Sequence, residues 1–429
     1  TVLQYGGFEE TKDPQPASWS SSWAPYPAPG AWPLKGAQAM EGKQAGASWH
    51  NRPLIQTIPL TAGKEVSITL HAKAATLPDF VPPKAQAGDT PAHRECAKLK
   101  RGINFGNGWE VPPDQQWGLR FTTEDVDQAA REGFDHLRIP VAWHHHLKRG
   151  GNSWEISPKL LAELDPVLKR ATDRNLRVLL DWHHFDDFTK NPDANLTRFI
   201  EGWETIARHY KNASPLIFFE LLNEPCDRLT TEALGPIYQK TIRAIRSIDP
   251  ERIIVASPGQ WGQVGELERL ILPDDDRVIV TVHCYEPFQF THQGAGWVGL
   301  QDLKGIQFPG PPPTPFQLPA SLKENSGVVA FVSGYNTLPS AGNPSSIDPV
   351  ERTMKEAREW SNHFGRPVHL GEFGAHQTGD DTSRARYLRD VRKVCEQLKI
   401  PWTMWEWKAG FGYWDPQAGK ARFREALFD

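Results

Sequence analysis

From Arg101 to its carboxyl end the 429-residue chain repeats one alternation: a short run of mostly apolar residues, then a stretch with apolar residues at helical spacing. The runs are Ile103 to Asn107, His136 to Val141, Val178 to His183, Ile217 to Asn223, Ile253 to Ser257, Val278 to His283, Val368 to Glu372 and Trp402 to Trp405. Strands that alternate with helices pair in parallel, because each helical crossover returns the chain to the start of the sheet. Eight is the number that closes a (β/α)8 TIM barrel, so the expected fold class is α/β, a barrel over residues 98–429.

The intervening stretches carry helix signals. Ser157 stands as a cap before Pro158, and Leu160, Leu161, Leu164, Val167 and Leu168 follow at helical spacing. Phe199, Trp203, Ile206 and Tyr210 form a second stripe, and Leu234, Tyr238, Thr241 and Ile245 a third. Such stripes would cover the barrel wall. Strand starts lie 25 to 42 residues apart except for Val278 and Val368, 90 apart. The gap holds GIQFPGPPPTPFQLPASLKENSG, which reads as a large loop on the functional face, followed by a helix from about Pro349 to Phe364.

The first 75 residues are different. They lack helical periodicity, and Leu54 to Leu60 and Glu65 to Leu70 alternate around Ala62-Gly63-Lys64 as two β-strands around a turn. A small all-β segment resembling part of a sandwich-type carbohydrate-binding module is expected over 1–75. Residues 76–97, rich in Pro and Ala, read as a linker.

Charge and composition exclude several classes. Forty-eight Lys and Arg balance 52 Asp and Glu, and no basic block offers a track for a phosphate backbone, so nucleic acid is not an expected partner. No apolar run approaches the roughly 20 residues of a membrane helix. Four scattered cysteines form no CxxC pair, which leaves room for one or two bridges but no zinc ribbon. Thr1 is no start methionine and suits a chain trimmed of an export signal. Seventeen tryptophans supply broad apolar faces, which suit sugar rings as well as a core.

A parallel barrel strand, covered outside and packed inside, should be apolar through most of its length. Here polar residues gather at the carboxyl ends: Arg138; Asp181, His183 and His184; Asn223 and Glu224; His283 and Tyr285; Glu372; Trp405 and Glu406. All those ends open on one face. Two carboxylates converging there suit glycosidic hydrolysis, in which one carboxyl group gives a proton to the leaving oxygen while the other is ionised. Their repulsion raises the proton affinity of one.

RGINFGNGWE, HLRIPV, DWHHFDD, FFELLNEP, VTVHCYEPFQFTHQGAGW, VHLGEFG and MWEWKAGFG, in that order, resemble glycoside hydrolase family 5, in particular its bacterial endo-β-1,4-glucanases. The likeness runs from about Arg101 to Leu427. It implies a retaining (β/α)8 enzyme with Glu224 as acid/base and Glu372 as nucleophile. It implies further that Arg138 holds the nucleophile ionised and that Asn223 bonds the sugar 2-OH. His183, His283 and Tyr285 would line the reacting subsite, with Tyr285 bonded to the nucleophile and Trp405 as aromatic floor. Asn107, Glu110, His184, His292 and Trp297 match substrate contacts of the family. The chain departs from the pattern at Cys226-Asp227, where a His is common, and at Gly108-Trp109.

Three other readings compete. His144, His145 and His146 with His183 and His184 invite a metal site, but a His-x-His spacing occurs only inside the HHH run, and neither metal nor cofactor is expected. A catalytically silent sugar-binding barrel could dispense with either glutamate. Within the enzyme class, β-mannan, glucomannan and xyloglucan are neighbours of β-1,4-glucan on the same scaffold. The expected partner is a β-glucan polysaccharide or oligosaccharide, met outside the cell by a monomeric, secreted protein.

Overall fold

The computed structural model describes residues 88–429 apart from positions 113, 116, 117 and 152, together with four two-residue strands nearer the amino terminus. Eight strands close into a barrel: β1 (Arg101–Asn104), β2 (His136–Val141), β3 (Arg177–Trp182), β4 (Ile217–Glu220), β5 (Ile254–Ala256), β6 (Val278–His283), β7 (Val368–Phe373) and β8 (Trp402–Met404). Each pairs in parallel with its neighbours in sequence, and β8 closes on β1. The expected strands are all present, several ending one to three residues earlier. The α/β TIM barrel is therefore the fold.

The main helices, in chain order, are α1 (Pro91–Cys96), α2 (Thr123–Glu132), α3 (Pro158–Asp173), α4 (Pro192–Tyr210), α5 (Thr231–Ile248), α6 (Ser326–Thr337), α7 (Asp348–Phe364) and α8 (Asp381–Gln397). The three expected stripes fall on α3, α4 and α5 and the expected helix from about Pro349 to Phe364 on α7, while other helices form where none was expected. In α3, Leu160, Leu164, Val167 and Leu168 are buried, but the Ser157 side chain makes no cap hydrogen bond. Pro158, with its φ already helical, opens that helix instead. The crossover from β5 to β6 uses a 3-10 helix, Val264–Arg269, rather than an α-helix.

The linker expected over 76–97 does not extend to its last seven residues. Thr90 Oγ1 accepts from the His93 amide at 3.3 Å and Pro91 opens α1. Ala92, Cys96 and Leu99 then bury against Leu179, Phe218, Ile253, Val255 and Ile279, joining α1 to β3–β6. The chain divides into two compact units, Thr1–Pro82 and Pro83–Asp429. In the amino-terminal unit Ser20–Ser21 pairs antiparallel with Leu54–Ile55, and Leu34–Lys35 with Gln44–Ala45. The expected strand from Glu65 to Leu70 lies outside the described residues. All four cysteines are free thiols, so the bridges left open by the sequence do not form.

The connection from β6 to β7 is folded rather than loose. It holds α6, the 3-10 turns Gly296–Val298 and Ala320–Leu322, and finally α7, whose start at Asp348 matches expectation. Gln293 pins it from within: its Nε2 donates to the carbonyls of Phe290 and Ile306, and its Oε1 accepts from the amides of Gly305 and Ile306. Asn343 likewise donates to the carbonyls of Tyr335 and Leu338.

The barrel interior is more polar than the sequence reading expected. Asn104, His136, Arg138, Asp181, Glu220, Thr281, His369 and Thr403 are all fully buried, and their hydrogen bonds reach across the barrel between strands. Polar groups thus occupy not only the strand ends but inward positions well below them.

Candidate active site

Arg138 on β2 organises the carboxyl end of the barrel. Its Nε and Nη2 grip the two oxygens of Glu220 at 2.8 Å each, a bidentate pairing that fixes the guanidinium plane. With that plane set, Nη1 donates to Glu372 Oε1 at 2.7 Å and to Asn104 Oδ1 at 3.0 Å, and Nη2 to Asn223 Oδ1 at 2.6 Å. Asp181 Oδ2 lies 3.1 Å from Nη2. Glu220 and Asn104, both absent from the sequence-derived set, thus hold the arginine that holds Glu372.

Glu372 is the second-last residue of β7, where a register irregularity at Val282/His283 sets it directly opposite His283 of β6. Such bulges re-aim side chains beside functional sites. Glu372 Oε2 accepts from the Tyr285 hydroxyl at 2.7 Å. Glu224 follows β4 on a segment tied down by Ser257, whose hydroxyl donates to the carbonyls of Leu222 and Asn223, and by the Trp261 amide, which donates to the Pro225 carbonyl. His283 Nδ1 is 2.7 Å from Glu224 Oε1 and 3.6 Å from Glu372 Oε2. One oxygen of each glutamate and a nitrogen of His283 all lie within 4.8 Å of one another.

The two carboxyl groups are treated unequally. Burial raises the proton affinity of both. At Glu372 this is opposed by His283, by Arg138 and by the Tyr285 hydroxyl, with two donors bonded directly. Glu224 has neither donor and meets only His283 at bonding distance, so it is the member that keeps a proton more readily.

His183, at the end of β3, gives its Nδ1 hydrogen to Asp181 at 2.6 Å, leaving Nε2 to accept from Asn223 Nδ2 at 3.5 Å. Its ring lies parallel to that of Trp405 at 5.7 Å between centroids. Trp405 is half-buried, and only a glycine fits beneath it: a β-carbon on Gly106 would lie 2.5 Å from the indole. Trp407 is buried away from the site, its Nε1 bonded to Asp125.

The outer residues separate into two groups. His292 is stacked on Phe288 at 4.2 Å and edge-on to Tyr285 at 4.9 Å, while Trp297, 67% exposed, stands beyond it at 6.4 Å. These make an aromatic wall running outward from Tyr285. His184, exposed and at φ 46°, sits against His183. Asn107 and Glu110 instead face one another: both Glu110 oxygens accept backbone hydrogens, from Asn107 and Gly108, and the residue is buried. Glu110 therefore shapes the turn at Asn107, itself at φ 64°, rather than offering a free carboxylate to the cleft.

His144, His145 and His146 do not gather a metal set. His144 stacks on Phe185 at 4.7 Å, and the one close group of possible ligands among the described residues is Glu224, His283 and Glu372. Arg138 and Tyr285 already occupy both oxygens of Glu372, so that donor set is committed to hydrogen bonds.

Paired glutamates at one rim of a parallel barrel, one bonded to an arginine and the other not, define a glycoside hydrolase type of site. The sequence profile described as cellulase (glycosyl hydrolase family 5) matches residues 100–410, and the chain belongs to that family. Endoglucanase 3 of Fibrobacter succinogenes is 30% identical over 332 residues, covering 73% of this chain and 50% of that one. Endoglucanase H of Acetivibrio thermocellus is 25% identical over 76% of this chain, which spans only 31% of its length. Among solved structures, Thermotoga maritima Cel5A in complex with mannotriose superposes with a TM-score of 0.66 at 30% identity, covering 78% of this chain and 99% of that one. The same Cel5A has been solved with cellobiose. Among the described residues no helix is long and apolar enough to cross a membrane.

Proposed function

We propose that the protein is an endo-acting, retaining glycoside hydrolase that cleaves β-1,4-glucosidic bonds in cellulose or related β-glucans by double displacement. The observation that carries the reading is the closeness of the two carboxyl groups, with oxygens inside 4.8 Å and one imidazole nitrogen between them. Retaining enzymes hold the pair about 5 to 5.5 Å apart, whereas inverting ones need roughly 6.5 to 9.5 Å to admit a water. Glu372, kept charged by Arg138 and Tyr285, attacks the anomeric carbon while Glu224 protonates the departing sugar oxygen. The roles then reverse at Glu224, which takes a proton from water as that water displaces Glu372 with net retention. Asn223, anchored on Arg138, meets the 2-OH, and Trp405 supports the sugar ring from below. Of the outer set, His184, His292 and Trp297 are assigned to neighbouring sugar units.

Family membership and the endoglucanase relatives support glucan. A mannan reading has one observation in its favour, the mannotriose complex of Cel5A. No cofactor enters the mechanism, and action as a secreted monomer suits a polymer that cannot enter a cell. A reducing-sugar assay against soluble β-glucans, mannans and xylans, with NMR of the first-formed anomer, tests all of this. Internal cleavage of carboxymethylcellulose with initial β-product is expected, and Glu372→Ala or Glu224→Gln should abolish turnover of the polymer. Full activity in either variant, or an initial α-product, overturns the reading.

A further inference from the structure

We infer that His376 completes an outer sugar subsite with His292 and Trp297, in which two imidazoles keep their Nε2 lone pairs free and accept hydroxyl hydrogens from a neutral sugar lying on the indole. The inference rests on the glycoside hydrolase reading and deepens it, adding a residue that the resemblance did not supply and naming what the subsite takes from its ligand.

One turn after β6 aims both rings. The Thr291 hydroxyl oxygen is 2.6 Å from the Tyr285 carbonyl oxygen and 3.0 Å from His292 Nδ1. The Thr291 carbonyl accepts from the His376 amide at 2.8 Å, and the Gln293 carbonyl oxygen lies 3.1 Å from His376 Nδ1. Gln293 is itself fixed by the four bonds of its side chain. Gly294, at φ 80°, lets the loop after β7 come this close, because a β-carbon there would fall 2.2 Å from Thr378 Oγ1. The loop after β8 is stitched to the same place by the Gln377 amide, which donates to the Gly410 carbonyl at 2.8 Å. It brings the buried Phe411 ring to 5.7 Å from His292 and 5.5 Å from His376. Trp297 stands edge-on to both imidazoles, 6.4 Å from His292 and 5.4 Å from His376, and its indole is largely exposed. Three loops therefore meet here, two rings out from the Tyr285 that bonds Glu372.

The hydrogen positions follow from the partners. The Phe288 carbonyl already receives the His292 amide, so the Thr291 hydrogen goes to the nearer Tyr285 carbonyl, since two oxygens 2.6 Å apart need a hydrogen between them. Thr291 Oγ1 is then left to accept from His292 Nδ1. A carbonyl cannot donate, so His376 Nδ1 likewise carries its hydrogen toward Gln293, with Thr378 Oγ1 3.0 Å away from the same nitrogen. Burial holds His376 below the ordinary imidazole range and pushes His292 down to about 4, in keeping with one hydrogen on each ring. Both Nε2 atoms are therefore lone pairs. Neither has a hydrogen-bond partner among the described residues, and neither is sealed from solvent. Gly410 has no side chain to cover that edge of His376, where a β-carbon would come 3.4 Å from Nε2. Two acceptors beside an exposed indole suit a ligand with an apolar face and hydroxyl hydrogens at its rim, which describes a sugar ring.

The test sets His376→Asn, whose amide stands at the place of Nδ1 and leaves the outer position without an acceptor, against His376→Gln, whose amide reaches the place of Nε2. Steady-state kinetics are run on 4-nitrophenyl β-cellobioside and on cellotriose to cellohexaose. Losing one hydrogen bond made equally in the ground and transition states should raise KM about fivefold with kcat unchanged, on substrates long enough to reach the subsite and not on the shortest. His376→Gln should recover most of the loss, and Trp297→Ala should lose affinity from the same chain length onward. A loss equal at every length, a loss in kcat alone, or no loss overturns the inference. Histidine 15N NMR, with signals assigned through His292→Gln and His376→Gln, gives a second reading independent of turnover. Both rings of the parent should carry their hydrogen on Nδ1, and cellotetraose added to Glu372→Ala should shift both Nε2 signals. An Nε2 hydrogen on either ring, or Nε2 signals that ignore the sugar, refutes the subsite even if the enzyme cleaves β-glucan. The expected ring hydrogens and sugar-dependent shifts in a protein that hydrolyses no polysaccharide would instead refute the hydrolase reading and leave the subsite standing.

Discussion

Arg138→Lys keeps a positive charge at the centre of the site and removes the fork that distributes it. The guanidinium makes five hydrogen bonds, two to Glu220 and one each to Asn104, Glu372 and Asn223. An ammonium has three hydrogens, so at least two of the five are lost in any rotamer. Hydrogen bonds to charged partners contribute about 1.5–3 kcal/mol each, which puts the destabilisation at roughly 3–6 kcal/mol. For a chain this long, about 2 °C per kcal/mol is the appropriate end of the usual scale, so Tm should fall on the order of 10 °C. Catalysis should suffer in a specific direction. Weakening the bond from Nη1 to Glu372 raises the proton affinity of the nucleophile, so activity is lost at a higher pH on acidification and the acid limb of kcat/KM moves up by about one unit. Differential scanning calorimetry and a pH–rate profile on one soluble glucan measure both. A variant melting within 2 °C of the parent with the same acid limb would show that the arginine neither holds the barrel nor charges Glu372.

Tyr285→Phe removes one donor from Glu372, so its acid limb should also rise, and kcat/KM should drop about tenfold or more with little change in Tm. Gly106→Ala would press a methyl into the Trp405 indole, and steady-state kinetics should show a large loss of activity in a protein whose circular dichroism is unchanged. Burial pushes Glu110 up to about 8, above its unfolded range. The folded state therefore binds that proton more tightly, and the stability it contributes is present at low pH and lost as pH rises toward 8. Urea unfolding should show the advantage of the parent over Glu110→Gln narrowing between pH 5 and pH 8, and a widening gap would contradict the placement.

The barrel was legible because its strands alternate with amphipathic stripes whose buried positions, such as Phe199, Trp203 and Ile206, recur at helical spacing. Glu224 and Glu372 were legible as polar residues interrupting apolar strand ends. Glu220 was not, since one acid among Phe218, Phe219, Leu221 and Leu222 reads as an interruption without a partner until Arg138 is seen across the barrel. His136 and His369 were missed for the same reason, although the period-two pattern His136-x-Arg138 and Thr281-x-His283 marks a continuous inward face. Glu110 was placed in the cleft by resemblance, but local geometry turned it onto its own turn. The helix at Pro91–Cys96 hid inside a Pro- and Ala-rich stretch, and its one signal was Thr90-Pro91, a cap followed by a first-turn proline.

An interior wired by Arg138, Asp181, Glu220 and Glu372 has a consequence for anyone seeking a hardier version of this protein. Exchanging buried ion networks for well-packed hydrocarbon is often neutral or stabilising, so the most tempting repacking sites here are the very groups that hold Glu372 in place. Robustness and turnover draw on the same few atoms. Improvement that spares activity has to come from the outer ring of helices and their caps, for instance at Ser157, whose side chain makes no cap hydrogen bond.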